Sequence, residues 1–317
     1  MLFIEPDKYE TFLIDDQTTE VYLHDHLCGF DLNLRAPVLD RLSKLVPDRP
    51  LTVASEYIVN QQIKNNYPNF NFVFSVNNHN RVLDKFRAYN IHPELKFKNF
   101  LCSFNGSPHV SRKLLVAILH KFGWFNTEYS SKNFVLSQTQ LSGHIQDYVK
   151  NNSSFYDKFF LSDNDEFYST IYSFGNYGKS RYNHYRNIVT LEKQLTDSFV
   201  NLVSDTMATS YYPFYGEKFL YSVVTRGLFV SYGQPNWHST LENCYGFKKY
   251  NRIFDYSFDE IANPVERLLE LVSMLGKFSM LTQSDWRDLY SLEIDNIEYN
   301  YDHYYSRDYI KCLKKFE

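Results

Sequence analysis

The chain of 317 residues has little cysteine and little glycine, with 4 and 11 residues respectively. The cysteines at positions 28, 102, 244 and 312 are far apart and form no Cys-x-x-Cys pair. This spacing argues against a zinc site and against a redox-active pair, and it favours reduced thiols. No apolar run reaches the length of about 18 residues that a membrane span requires. The N-terminal stretch "MLFIEPDKYE" also lacks the pattern of a signal peptide. A cytoplasmic protein with no membrane span is the expectation.

The chain also lacks a large excess of either charge, because 33 basic and 37 acidic side chains give a net charge of only −4. No basic run marks a nucleic-acid surface, so a nucleic-acid partner is not expected. Aromatic residues are abundant, with 27 tyrosines and 27 phenylalanines, and 44% of the residues are apolar. Such a chain can bury a large core. The abundance of Tyr, Phe, Asn and Lys indicates an AT-rich genome, of viral or bacterial origin.

Short apolar runs alternate with amphipathic segments, which is the pattern of an α/β protein. Strands are predicted at "EVYLHDHL", "LTVASEYIV" and "FNFVFSVN", and helices at "VLDRLSKLV" and "NRVLDKFRAYN". The segment 126–186 is rich in Asn, Ser and Tyr and gives no clear pattern. We place a domain boundary near residue 95.

Two strand-turn-helix units carry the polar residues of interest. In the first, the strand "KFKNFLCSFNG" contains Asn105 near its end and leads into the helix "SPHVSRKLLVAIL" with Arg112 and Lys113. The start of such a helix offers free amides and partial positive charge to a phosphate. The alternative is an ordinary unit with two surface cations.

In the second unit, the strand "SFVNLVSD" carries Ser204 and Asp205 to its C-terminal end, and Glu217 and Lys218 begin the next helix. Ligands of parallel α/β sheets bind at such strand ends. A carboxylate there can accept hydrogen bonds from both ribose hydroxyls, and a lysine can neutralise a diphosphate. Alternatively, Glu217 is only an acidic residue at the helix N-terminus, where its charge interacts favourably with the helix dipole. We predict that the two strands are parallel members of one sheet.

Both units resemble the donor-binding half of GT-B glycosyltransferases, and most closely the α-1,3-fucosyltransferases and related bacterial and viral proteins. The second unit is similar to their acidic residue after a strand, followed by a loop, "TEK" and a helix. The first is similar to their "CLN-x-x-P-x-x-HR". The resemblance covers about 100–125 and 198–272. The chain departs from the pattern at three positions, where Asp205 replaces Glu, Gly216 replaces Thr and Ser111 replaces His.

The resemblance implies an α/β, GT-B-like fold of two Rossmann-like domains that face each other across a cleft. It implies an acceptor-side domain over 1–95, a donor domain over 96–290 and a tail over 291–317 that packs back on the first domain. A sugar would pass from a nucleotide diphosphate to a hydroxyl of a glycan or similar acceptor, without a metal or other cofactor. The implied donor-binding residues are Asn105, Arg112, Ser204, Asp205, Glu217 and Lys218.

The catalytic base is expected in the N-terminal domain, near predicted strand ends. The candidates are His24 and Asp25 in "YLHDHLCG" and Glu56 in "VASEY". A histidine with a satisfied structural role, or a surface acid, is the alternative for each. His24 and His26 could share one face of a strand, but no further metal ligands are evident beside them.

Two other functions remain open from the sequence. The altered motif positions fit a non-catalytic GT-B-like binding protein that kept the fold and lost the donor chemistry. A viral enzyme that glycosylates DNA bases is the other, although the charge of −4 argues against it. The segment "SFGNYGKS" at 173–180 lacks the first glycine of a phosphate-binding Walker A loop, and a polar segment follows it instead of an apolar helix. We interpret it as a solvated loop.

Overall fold

The computed structural model describes residues 2–4, 12–23, 36–55, 59, 61–74, 86, 89, 93–148, 166–175, 177, 184–205, 208 and 215–313. These residues form two four-stranded sheets in which every strand pair is parallel, with helices between strands. The predicted α/β class is thereby confirmed.

The first sheet has the strand order β1-β2-β3-β4. Its strands are β1 (Leu2–Ile4), β2 (Glu20–Leu23), β3 (Leu51–Ser55) and β4 (Phe70–Phe74). Helix α1 (Ala36–Leu45) lies between β2 and β3 in the chain, and α2 (Gln61–Asn66) lies between β3 and β4. Apolar side chains of these strands and helices, among them Val21, Leu39 and Val53, form a separate core.

The second sheet has the order β6-β5-β7-β8. Its strands are β5 (Asn99–Asn105), β6 (Ser130–Lys132), β7 (Ser198–Ser204) and β8 (Leu228–Tyr232). Strands β7 and β8 are buried along their whole length, as expected for a parallel sheet covered on both faces.

The helices that accompany the second sheet follow apolar periodicity and local caps. Pro264 stands at the first turn of its helix, as predicted, and the Asn263 side chain caps that helix by accepting from the Val265 and Glu266 amides. Gly246 ends the helix Trp237–Tyr245. Its φ of 78° is a left-handed conformation that glycine adopts without strain. The helices are α3 (Val110–Lys121), α4 (Gln138–Tyr148), α5 (His184–Asp197), α6 (Lys218–Val224), α7 (Trp237–Tyr245), α8 (Pro264–Ser279), α9 (Gln283–Leu292), α10 (Ile294–Ser306) and α11 (Asp308–Leu313), with a 3-10 helix at Tyr256–Glu260.

The second core extends beyond the predicted donor domain. Phe86 and Tyr89, which precede the predicted boundary near residue 95, are both buried in it. The described part of the tail also packs on this core, where Tyr304 and Tyr309 are buried. The Tyr305 hydroxyl donates to the Tyr89 carbonyl. The described tail thus packs on a core that includes Phe86 and Tyr89 from the predicted first domain, and the predicted domain bounds stay a prediction.

Within the described residues, no helix combines the length and the apolar character needed to cross a membrane.

Candidate functional site

The ends of β5 and β7 lie at the same edge of the second sheet. Leu101 pairs with Val200 and Cys102 with Asn201, and the two strands run parallel. The prediction that the two strand-turn-helix units are parallel neighbours is therefore confirmed. Asn105 ends β5 and Ser204 ends β7, so both helices that follow begin at this edge.

Helix α3 is fixed to the end of β7 by its first turn. Arg112 is 5% exposed, and its Nε donates to the Ser204 carbonyl at 3.4 Å. The Ser111 hydroxyl donates to the Asp205 carbonyl at 2.7 Å. Ser111 therefore joins the two strand-turn-helix units directly. The guanidinium of Arg112 is a buried cation beside the C-terminal end of β7.

The second cation at this edge is Lys218, which begins α6. Its side chain is 10% exposed, and Nζ lies 3.3 Å from Glu217 Oε1. Burial lowers the pKa of Lys218, the charge of Arg112 lowers it further, and Glu217 and Asp205 oppose the shift. The cations of the two units are therefore within electrostatic reach of each other.

A histidine that sequence reasoning did not assign lies in the same region. His109 precedes the first residue of α3. Burial, followed by the charges of Arg112, Lys218 and Lys113, lowers the pKa of His109 to about 4. The imidazole is therefore neutral at pH 7 and lies among three cationic side chains. Its position in "SPHVSRK", directly before the helix, was the available signal.

Tyr177 is the second residue that sequence reasoning missed, since it lies in the segment interpreted as a solvated loop. Its ring is 5% exposed and packs 5.8 Å from the ring of Phe104. Burial and then the charge of Glu217 raise the pKa of Tyr177, while Arg112 opposes the shift. We call His109, Arg112, Tyr177, Glu217 and Lys218 the edge cluster.

Asp205, the residue that follows β7, has its carboxylate in the protein interior. It is 3% exposed, and Oδ2 accepts a hydrogen bond from Trp237 Nε1 at 2.5 Å. A Cβ at Gly216 would lie 3.3 Å from Oδ1. Both carboxylate oxygens thus touch the surrounding chain. The predicted contact of Asp205 with a donor stays a prediction.

Two further strand-end residues offer acceptor atoms. Asn105 and Ser204 are fully buried, and neither Asn105 Oδ1 nor Ser204 Oγ has a hydrogen-bond partner among the described residues. Asn105 Nδ2 donates to Ser103 Oγ at 3.1 Å and to the Ser131 carbonyl at 3.2 Å, which orients the amide towards β6. Their donor-binding roles stay predictions.

Behind the cluster, a histidine-aspartate pair is structural. The Ser231 amide donates to His238 Nε2 at 2.9 Å, so the ring proton is on Nδ1 and is donated to Asp259 Oδ1 at 2.8 Å. Asp259 also accepts from the amides of His238 and Ser239. With both ring nitrogens engaged, His238 joins α7 to β8 and to the 3-10 helix.

The predicted catalytic residues His24, Asp25 and Glu56 lie outside the described residues, as do residues 211–214 between β7 and α6. Across the parts of the chain that the structure describes, no group of three His, Cys, Asp or Glu side chains could hold a metal ion.

Comparison with protein-family models, with curated proteins and with solved structures finds no match to this chain. The chemistry of the edge cluster is therefore the basis for assigning a function. It offers two cations for an anion, one carboxylate for hydroxyl groups and one phenol as a hydrogen-bond donor.

Proposed function

We propose that the protein is a glycosyltransferase that binds a nucleotide-diphosphate sugar at the edge cluster. The observation that carries this proposal is that each strand-turn-helix unit contributes a buried cation near the end of β7: Arg112 bonds to the Ser204 carbonyl, and Lys218, with Glu217 beside it, begins the helix that follows this strand. In the reaction, the bond between the sugar and the diphosphate breaks and a bond to an acceptor hydroxyl oxygen forms. The acceptor proton leaves to a base.

In this proposal the cations of the two strand-turn-helix units bind the diphosphate of the donor, and the carboxylate of Glu217 binds its ribose. Two buried cations near the C-terminal ends of β5 and β7 match the two phosphates of the donor in number. Their charges would stabilise the departing diphosphate. Glu217 is 29% exposed at its side chain and can accept hydrogen bonds from a ribose diol while it stays paired with Lys218. A free phosphate would use the cations and offer this carboxylate no hydroxyl group to bind.

The proposal includes the GT-B arrangement, with the acceptor on the N-terminal domain. Two parallel sheets with separate cores support this. The resemblance of both strand-turn-helix units to α-1,3-fucosyltransferases supports the sugar-transfer chemistry.

The first test is calorimetric titration of the full chain with UDP, GDP, uridine and guanosine. We expect binding of at least one diphosphate, and we expect Arg112→Ala to weaken it about 10- to 100-fold while changing nucleoside binding little. Lys121→Ala is the matched control, since it removes a cation from the exposed far end of the same helix. Absence of diphosphate binding, or equal losses for diphosphate and nucleoside, would overturn the assignment.

A second candidate, a non-catalytic nucleotide-binding protein, is favoured by the state of Asp205. Its carboxylate contacts Trp237 instead of standing free at the strand end. Release of UDP or GDP from the matching nucleotide sugars, with and without glycan acceptors, separates the two. Tight binding without release would select the binding protein.

A further inference from the structure

Tyr177 reaches the edge cluster from a segment that belongs to neither strand-turn-helix unit. The segment is tied to the sheet because Lys132 N donates to the Tyr172 carbonyl at 2.8 Å and Tyr172 N donates back at 3.0 Å. A turn then follows, in which Tyr177 N donates to the Phe174 carbonyl at 2.7 Å. Backbone pairing with β6 and this turn therefore hold the described part of the segment beside the second sheet.

The ring of Phe104, one residue before the end of β5, holds Tyr177 beside α6. The Phe104 centroid lies 5.8 Å from that of Tyr177 and 6.5 Å from that of Tyr221. Tyr221 is four residues after Glu217 and therefore one helical turn away from it. Tyr177 and Tyr221 thus pack on the same ring, which places Tyr177 near the start of α6.

The hydroxyl of Tyr177 has no hydrogen-bond partner among the described residues, although the residue is 5% exposed. Buried tyrosine hydroxyls usually find a partner. Glu217 and Arg112 both act on this hydroxyl, and they do so with opposite sign. The phenol, packed on Phe104 at the end of β5, is thus within electrostatic reach of the carboxylate assigned to the ribose and of the cation assigned to the diphosphate.

We propose that Tyr177 is a ligand-binding residue whose hydroxyl donates a hydrogen bond to the phosphate next to the ribose. This inference rests on the proposed nucleotide site and adds that the site selects nucleotides through their first phosphate. A nucleoside lacks the acceptor, and pyrophosphate lacks the ribose that would place it there.

Tyr177→Phe keeps the ring on Phe104 and removes only the donor. We expect its affinity for UMP and UDP, or for GMP and GDP, to fall about tenfold in calorimetric titrations. Binding of uridine or guanosine, and of inorganic pyrophosphate, should be unchanged. Tyr172→Phe is the matched control, because Tyr172 lies in the same segment with its ring on Phe125 and Phe167 instead.

The outcomes separate this inference from the proposed function. If the protein binds nucleotides and Tyr177→Phe binds them with full affinity, the role of Tyr177 is overturned while the nucleotide site stands. If the variant loses nucleoside and nucleotide affinity equally, Tyr177 is structural. If sugar transfer fails but the monophosphate loss is seen, the inference stands without the transferase. If the protein binds no nucleotide, both are overturned.

Discussion

Gly216 lies against the carboxylate of Asp205, and a Cβ at position 216 would stand 3.3 Å from Asp205 Oδ1. Under the proposed resemblance to fucosyltransferases, these are two of the three positions that depart from the family pattern. Their contact would give the two departures one physical cause. Asp205 is held by Trp237 Nε1, so its second oxygen occupies the space that a side chain at 216 would need.

The first prediction follows from this contact. Gly216→Ala should lower the free energy of unfolding by about 1–2 kcal/mol, the usual range for adding a methyl group to a packed site. In an Asp205→Ala background the same substitution should have a smaller effect, because the opposing oxygen is gone. Chemical denaturation of the two single variants and the double variant measures the coupling.

Gly143→Ala is the matched control for that cycle. Gly143 lies within α4, and a Cβ there would meet nothing within 4 Å. The substitution should stabilise the protein by about 0.5–1 kcal/mol through helix propensity. If Gly216→Ala lowers the free energy of unfolding equally with Asp205 and with Ala at position 205, the contact between Gly216 and Asp205 contributes nothing to this effect.

Sequence patterns predict those parts of the site that are built from apolar strands and helices. Runs such as "FVNLV" at 199–203 predict the parallel strands at the edge, and Pro264 predicts a helix start. The strand Ser130–Lys132 escapes prediction because its residues are polar, although all three are buried. Their burial depends on partners distant in sequence, such as Asn105, whose amide donates to Ser131 Oγ. Tyr177 escapes for the same reason.

The second prediction concerns His109, whose pKa is lowered to about 4 from 6.5. Between these values the unfolded chain binds a proton that the folded chain does not. Stability should therefore fall as the pH drops from about 6.5 to 4, and His109→Gln should lack this component. The difference between the two denaturation series, measured from pH 4 to 8, isolates it.

Binding of UDP or GDP should raise the pKa of His109, because the phosphates counter the charges of Arg112, Lys218 and Lys113. Titration of the His109 ring signals by NMR, with and without the diphosphate, measures the change. An unchanged pKa in a saturated complex would place the phosphates away from His109.

The third prediction concerns Lys132, a fully buried lysine at the end of β6. Nζ donates to the carbonyls of Phe134, at 2.9 Å, and of Thr170, and it lies 5.0 Å from the Phe167 ring centre. Burial lowers its pKa to about 8 from 10.5. Between these values the unfolded chain holds the proton that the folded chain releases.

Relative to Lys132→Met, the protein should therefore gain stability as the pH rises from about 8 to 10.5. Because the tyrosines titrate alike in both proteins, the difference between their unfolding free energies isolates Lys132. A flat difference across this range would mean that Lys132 keeps its ordinary pKa in the fold.

The last prediction is that Glu217→Gln weakens nucleoside and nucleotide binding together, by about 1–3 kcal/mol. It should do so because the carboxylate accepts hydrogen bonds from the ribose, which both ligands carry. A deoxyribose ligand provides the matched test. The protein should bind 2′-deoxy-UDP or 2′-deoxy-GDP more weakly than the parent nucleotide, and Glu217→Gln should show a smaller penalty for the missing hydroxyl.

Glu217 also pairs with the buried Lys218, so the substitution by itself changes stability as well as binding. Lys218→Met removes the buried charge, so Glu217 no longer has an ion-pair partner at position 218. In the Lys218→Met background, Glu217→Gln should leave the free energy of unfolding nearly unchanged and should still remove the discrimination between ribose and deoxyribose. If it lowers the stability of the protein and leaves both affinities intact, the carboxylate serves Lys218 alone and the ribose contact is wrong.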